Sequence, residues 1–191
     1  MPYYTGVGSR EAPEEIMKKL RFIGHWLGRK GFILRSGAAD GSDTGFEQGC
    51  DHVKGGKKIY LPWKYFNKRF DIKFVEISDA AFELASTLHP GWTYLKQGAR
   101  RLHARNTYQV LGEYLDTPSD FTVCWTPDGA ETEDQLTSKT GGTATAIRLS
   151  CRKGIPVFNL RNEASVERFK TFLKDKYNIV LGAENATVLH L

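Results

Sequence analysis

The segment Thr140, Gly141, Gly142, Thr143, Ala144, Thr145, Ala146 concentrates more usable chemistry than any other short stretch of the chain. It follows an apolar run at 121–125 and opens an amphipathic stretch at 146–153. A glycine pair at a strand-to-helix junction leaves backbone N–H groups unobstructed, the helix N-terminus adds its dipole, and flanking hydroxyls can donate to the same anion. Thr140, Gly141, Gly142, Thr143 and Thr145 therefore read as a phosphate cradle. The plain alternative is a glycine turn with a threonine N-cap, which needs no ligand. Hydroxyls at 140, 143 and 145 exceed what one cap can use.

Such a cradle needs a strand to deliver it and a helix to follow it. Strand-like segments at 3–7, 32–35, 57–61, 121–125 and 156–160 alternate with helical patterns. That order predicts an α/β fold, a doubly wound, Rossmann-like and mostly parallel sheet with helices on both faces. The first helix begins at Pro13, carries Ile16, Leu20, Ile23 and Leu27 as its apolar stripe, and is closed by Gly28 and Gly31. Further helices are expected at 41–52, at 98–115 and at 165–177, the last burying Val166, Phe169, Phe172 and Leu173. Residues 62–97 interrupt the alternation as an insertion: a basic aromatic loop, a short helix after Ser78 and a turn at 89–92. Residues 179–191 are assigned a final strand, and the polar loop 126–139 reads either as a lid or as plain surface.

A chain of 191 residues, 40% hydrophobic, suits one core, so residues 1–191 are expected to form one domain. No apolar run reaches membrane-spanning length and no signal peptide precedes the first strand, which predicts a cytoplasmic protein without a membrane partner. The odd set Cys50, Cys124 and Cys151 argues for reduced, interior thiols, against both a disulfide framework and a structural zinc site. The five histidines are dispersed, so neither a metal nor a cofactor is expected. A net charge of +5 suits an anionic ligand. Its basic residues gather at Lys64, Lys68 and Arg69 and at Lys96, Arg100, Arg101, His103 and Arg105, while Asp128, Glu131, Glu133 and Asp134 form an acidic loop.

In a doubly wound sheet, ligands bind beyond the carboxyl ends of the strands. Three more segments are expected there. After the first strand, Gly6 and Gly8 permit close backbone approach, Ser9 can donate to a phosphate and Arg10 can pair with it. After the second strand comes Ser36, Gly37, Ala38, Ala39, Asp40, Gly41, Ser42, Asp43. Gly37, Asp40 and Asp43 of this segment either contact ligand or shape a turn that caps the next helix. The third segment is Arg105 and Asn106.

Taken in order, these segments resemble the Rossmann-like domain of the DprA/Smf family within the SLOG superfamily. The VGSR-like turn is matched by Val7, Gly8, Ser9 and Arg10, and the SGxAxGxD turn by Ser36, Gly37, Ala39, Gly41 and Asp43. The RN pair is matched by Arg105 and Asn106, and the SGSxxTA turn resembles Thr140, Gly141, Gly142, Thr145 and Ala146. The resemblance implies loops that bind phosphates of single-stranded DNA or a nucleotide, Arg105 as a clamp, a possible homo-oligomer and a role in DNA processing or recombination. Small members of this type are familiar from phage and prophage genomes. The usual histidine after the second turn falls at Glu47, and no flanking accessory or winged-helix domain is present, so recombinase loading is not implied.

The same superfamily contains LOG-type hydrolases of nucleotide N-glycosidic bonds, with a PGGxGTxxE motif. Here Thr140 stands for the proline, Ala144 for the third glycine and Arg148 for the glutamate. An arginine cannot act as that acid or base. Glu47 is then the candidate catalytic residue, with Asp40 and Asp43 as other replacements. The binding reading instead assigns base stacking to Trp63, Tyr65, Phe66 or Trp92. A third reading is a sensor or sponge of a nucleotide signal.

Overall fold

The computed structural model describes residues 1–182. Five strands form one sheet: β1 Tyr3–Gly8, β2 Ile33–Ser36, β3 Lys57–Ile59, β4 Phe121–Trp125 and β5 Val157–Asn159. Their order is β3-β2-β1-β4-β5 and every pairing is parallel. The helices are α1 Glu14–Arg29, α2 Ser42–His52, α3 Asp79–Leu88, α4 Gln97–Leu111, α5 Ala144–Arg152 and α6 Glu163–Tyr177. The chain steps outward from β1 through β2 to β3, then returns to the other side of β1 for β4 and β5. That reversal opens a crevice where the loops after β1 and β4 diverge.

Side-chain alternation explains why both faces are covered. Tyr4, Leu34, Phe121, Val123, Trp125 and Phe158 point to one face and bury with Leu20 and Leu27 of α1, Phe46 of α2 and Phe169 and Leu173 of α6. Val7, Cys124 and Val157 point to the other and pack with Leu88 of α3, Val110 and Leu111 of α4 and Ile147 and Leu149 of α5. On this second face the β1 residue Thr5 donates to the Gln109 carbonyl at 2.7 Å, and Thr122 of β4 bonds Ser150 of α5 at 2.8 Å. Cys50 and Cys124 are buried free thiols. Among the described residues no helix is long and apolar enough to cross a membrane.

Several boundaries differ from expectation for local reasons. Pro13 sits just before α1, and its carbonyl accepts the first helical bond from Met17 at 2.9 Å. Helix α4 stops at Leu111 instead of 115 because Gly112 turns out of it at φ +77°. β3 and β5 are shorter than expected, although Tyr60 N still reaches the Ser36 carbonyl and Leu160 N the Cys124 carbonyl, each at 2.9 Å. The insertion holds α3 and two short 3-10 turns, Phe66–Lys68 and Trp92–Tyr94. No strand forms at 179–182, and the rest of the expected final strand lies outside the described residues. Loop 126–139 is tied down: Glu131 accepts from Asn159 N and from Arg168, both at 2.8 Å, and Glu133 pairs with Arg148 and Arg152. It forms a fixed wall beside β4.

Candidate functional site

At the reversal point, beyond the carboxyl ends of β1 and β4, lies a cleft of about 690 Å³. Gly8, Ser9 and Arg10 form one wall, α4 forms another, and Thr140 to Thr143 close the third.

The glycine turn is built from behind. Gly141 adopts φ +60°, ψ −145°, a region that residues with a Cβ avoid. The Thr140 hydroxyl accepts from Thr137 N at 2.9 Å and donates to Asp128, while Asn106 Nδ2 donates to the Gly142 carbonyl at 2.9 Å. Burial acts to raise the Asp128 carboxyl, but hydrogen bonds from Thr137, Thr140 and Thr126 outweigh it and hold its pKa at about 2. Gly141 and Gly142 are exposed, and a β carbon on either would meet nothing within 4 Å. The turn thus presents bare backbone to the cleft, with buried Thr143 leading into α5. Thr145 points inward: its hydroxyl bonds His103 Nδ1 at 2.6 Å. Two of the three threonines read as donors are therefore occupied in holding the turn and α4 in place.

The opposite wall continues β1. Ser9 N donates to the Trp125 carbonyl at 2.9 Å, and the Ser9 carbonyl accepts from Ser42 N at 3.1 Å and from the Ser42 hydroxyl at 3.0 Å. With Thr44 N also bound to the Ala39 carbonyl, the first turn of α2 spends these donors inside the protein. Helix α5 begins at the glycine turn, and from the first turn of α2 the Asp43 side chain also lines the cleft. Arg10 and Lys139 stand exposed at the mouth, and neither side chain forms an ion pair among the described residues.

The floor holds a buried acid and base. Asp43 Oδ2 accepts from Gly37 N at 3.1 Å, and Arg105 Nη1 lies 3.9 Å away. Arg105 Nη1 donates to the carbonyls of Gly37 and Tyr60, its guanidinium lies over Phe66, and its Nε has no acceptor. Burial pushes Asp43 up to about 6 despite the attraction of Arg105, and pulls Arg105 down to about 10. His103, also on the cleft wall, is lowered to about 4 by burial and then by His89 and Arg105, so its ring is neutral at pH 7.

Of the residues singled out in the sequence, Gly8, Ser9, Arg10, Asp43, Arg105, Asn106, Thr140, Gly141, Gly142 and Thr143 line this one cleft. Gly6, Gly37, Asp40, Thr145 and Glu47 do not. Gly6 lies within β1, where a β carbon would come 2.7 Å from Leu34 and 2.8 Å from the Phe46 ring. Gly37 makes room for Arg105, whose Nη1 would be 1.4 Å from a β carbon there. Asp40 is an exposed turn residue. Glu47 is buried in ion pairs with Lys57 and Arg69, both at 2.7 Å. Burial opposes its ionisation, but those two cations prevail and keep its pKa below the usual range, leaving a fixed carboxylate with no route to proton exchange in the cleft. None of the expected stacking aromatics lines the cleft. Phe66 is buried and Trp92 half-buried, whereas Tyr65 and Phe70 form an exposed pair 5.1 Å apart.

Among the lining residues that the motifs alone miss are His103, Gln109 and Lys139. Helical spacing finds the first two: counted from Asn106, the positions three before and three after share its face. Lys139 carries no such signal beyond adjacency to the turn. Chemically, the site offers exposed backbone, two free cations and a buried cation for an anion, and in Asp43 a carboxyl able to exchange a proton near neutral pH. The fold and cleft together define a Rossmann-like α/β protein with a polar site at the strand-order reversal. Searches of family models, curated proteins and solved structures gave no match to this chain.

Proposed function

We propose that this cleft binds phosphate, carried by a nucleotide or by single-stranded DNA, as the resemblance to DprA-like SLOG domains implies. The observation that supports this most directly is convergence: four segments separated in sequence, at 8–10, 43, 105–106 and 140–143, line a single cleft. Phosphate oxygens would be met by the Gly141–Gly142 backbone and the Thr143 end of α5, with Arg10 and Lys139 neutralising charge from the mouth. Arg105 contributes positive potential from the floor, since its hydrogen bonds already go to protein carbonyls. This reading fits a cytoplasmic protein of DNA processing or recombination, and self-association would be compatible with it.

The test is fluorescence anisotropy with a labelled nucleoside monophosphate and a length series of single-stranded oligonucleotides at two salt concentrations. Binding that weakens about tenfold in Arg10→Ala, with unchanged thermal stability, supports the proposal. Equal affinity of wild type and Arg10→Ala for every probe, or no binding, contradicts it. Steep salt and length dependence assigns the site to a strand and its absence to a mononucleotide. A second reading, hydrolysis of a nucleotide N-glycosidic bond, is favoured by one observation: Asp43 faces the cleft with a pKa of about 6. Release of free base from nucleoside monophosphates, abolished in Asp43→Asn, would support it.

A further inference from the structure

The loop that follows β3 turns large rings toward solvent. Tyr65 and Phe70 are 61% and 74% exposed, and their rings lie 5.1 Å apart at 33° to one another. The loop that carries them is clamped. Arg69 donates to both carboxylate oxygens of Glu47 at 2.7 Å, Asn67 Nδ2 donates to the Ala38 carbonyl at 2.9 Å, and the Pro62 carbonyl accepts from Arg101 Nε at 2.8 Å. Between these anchors Tyr65 and Lys68 are held at φ +63° and +59°, left-handed conformations that residues with a Cβ avoid. A largely buried ion pair and two strained residues thus serve to hold two rings in water.

The charge around the rings is one-sided. Over residues 62–77 both carboxylates are neutralised by arginines, Asp71 by Arg69 and Glu76 by Arg101. Lys64, Lys68 and Lys73 are exposed and form no ion pair among the described residues. Rings interleaved with unpaired lysines match a chain that presents both π-faces and phosphates. The loop also adjoins the phosphate cleft. Ala39 and Leu102 line that cleft and pack in the same core cluster as Phe66, whose ring lies 6.0 Å from the Arg105 guanidinium. A second copy docking through this loop by two-fold symmetry would set the lysines against one another, with no free carboxylate of the loop to meet them.

We propose that Tyr65 and Phe70 form a stacking platform for the unpaired bases of a single-stranded nucleic acid. Its backbone passes from the cleft onto the loop, where Lys64 and Lys68 counter its phosphates. The proposal rests on the phosphate reading of the cleft and deepens it: the occupant is a strand of several nucleotides, not a mononucleotide. Glu47 then has a duty outside catalysis, that of anchoring the loop through Arg69. No bond is made or broken.

The experiment compares the affinity of the full chain for a labelled oligothymidylate of roughly 12 nucleotides with that for an abasic strand of equal length, which keeps the phosphates and lacks the bases. Wild type is expected to bind the thymidylate about tenfold or more tightly than the abasic strand. The double variant Tyr65→Asn, Phe70→Ala should bind both alike; asparagine tolerates the left-handed backbone at 65, and thermal unfolding checks the fold. Tyr65→Phe, which keeps the ring, should bind as wild type does. Lys64→Gln with Lys68→Gln should lower the log–log salt slope by roughly 1.4 and leave the base preference intact. A matching oligouridylate tells RNA from DNA. Equal binding of thymidylate and abasic strands by wild type overturns the proposal, and this comparison needs no variant to fold. So does a base preference that survives the double variant; if Arg10→Ala still weakens both strands, the phosphate reading stands without the platform. A base preference lost with the rings but indifferent to Arg10→Ala keeps the platform and rejects the phosphate site. Self-association that the double variant abolishes, seen by sedimentation without nucleic acid, assigns the rings to a second copy and also overturns the proposal.

Discussion

Replacing Gly37 by alanine tests whether that glycine serves the ligand directly or serves Arg105. A β carbon at this position would lie 1.4 Å from Arg105 Nη1 and 2.4 Å from Gln109 Nε2. The guanidinium must then leave its place, giving up the Gly37 and Tyr60 carbonyls and its approach to Asp43 at 3.9 Å. Breaking a buried charge pair by displacing one partner costs about 3–5 kcal/mol. Partial relaxation of β2 lowers this, so a loss of about 3 kcal/mol is expected for Gly37→Ala. For a chain of this length that is a fall in Tm of roughly 6–12 °C. The assay is urea unfolding in a double-mutant cycle with Arg105→Ala. Arg105→Ala alone should cost a similar amount, by leaving Asp43 buried without its cation. With the guanidinium gone, only the amide end of the Gln109 side chain must still move aside, into the space Arg105 has left, and Gly37→Ala should then cost less than about 1 kcal/mol. Equal costs in the two backgrounds, or a negligible cost in wild type, would refute the claim that Gly37 exists to seat Arg105.

Two other predictions follow from the same cleft. Asp43 is raised to about 6, so between pH 4 and 6 the folded state keeps a proton that the unfolded chain has released, and stability falls as pH rises through that window. His103 is lowered to about 4, so its contribution has the opposite sign: stability present above its unfolded pKa is lost as pH falls from about 6.5 towards 4. Each effect is of order 2–3 kcal/mol and they offset one another. Chemical denaturation across pH should therefore show Asp43→Asn becoming more acid-sensitive than wild type and His103→Gln less so; parallel curves would count against both assignments. Gly141→Ala should lose about 1–3 kcal/mol, because alanine must hold φ +60°, and should weaken anion binding by deforming the turn, measured by calorimetric unfolding and phosphate titration.

The sheet was legible because strand alternation and helix periodicity are local properties of sequence. Tyr4, Phe121 and Val123 alternate with Thr5, Thr122 and Cys124, and the apolar stripe of α1 repeats at helical spacing. Where helix α4 ended depended on Gly112, one left-handed residue within a pattern that otherwise ran on. At the site, the sequence located the loops but not the duty of each side chain. Gly37 and Asp43 belong to one motif, yet the glycine packs on Arg105 while Asp43 faces the cleft. Glu47 looked available because its counter-ions, Lys57 and Arg69, come from β3 and from the insertion, contacts that no local pattern predicts.

The most direct test of the phosphate site is a ¹⁵N–¹H titration of the backbone amides with inorganic phosphate, followed by a nucleoside monophosphate. The account predicts saturable shifts concentrated at Ser9, Arg10 and Gly141 to Thr143, tighter for the nucleotide and abolished by deforming the turn with Gly141→Ala. Shifts scattered over the surface lysines, or amides at 141–143 that do not move with either ligand, would contradict it.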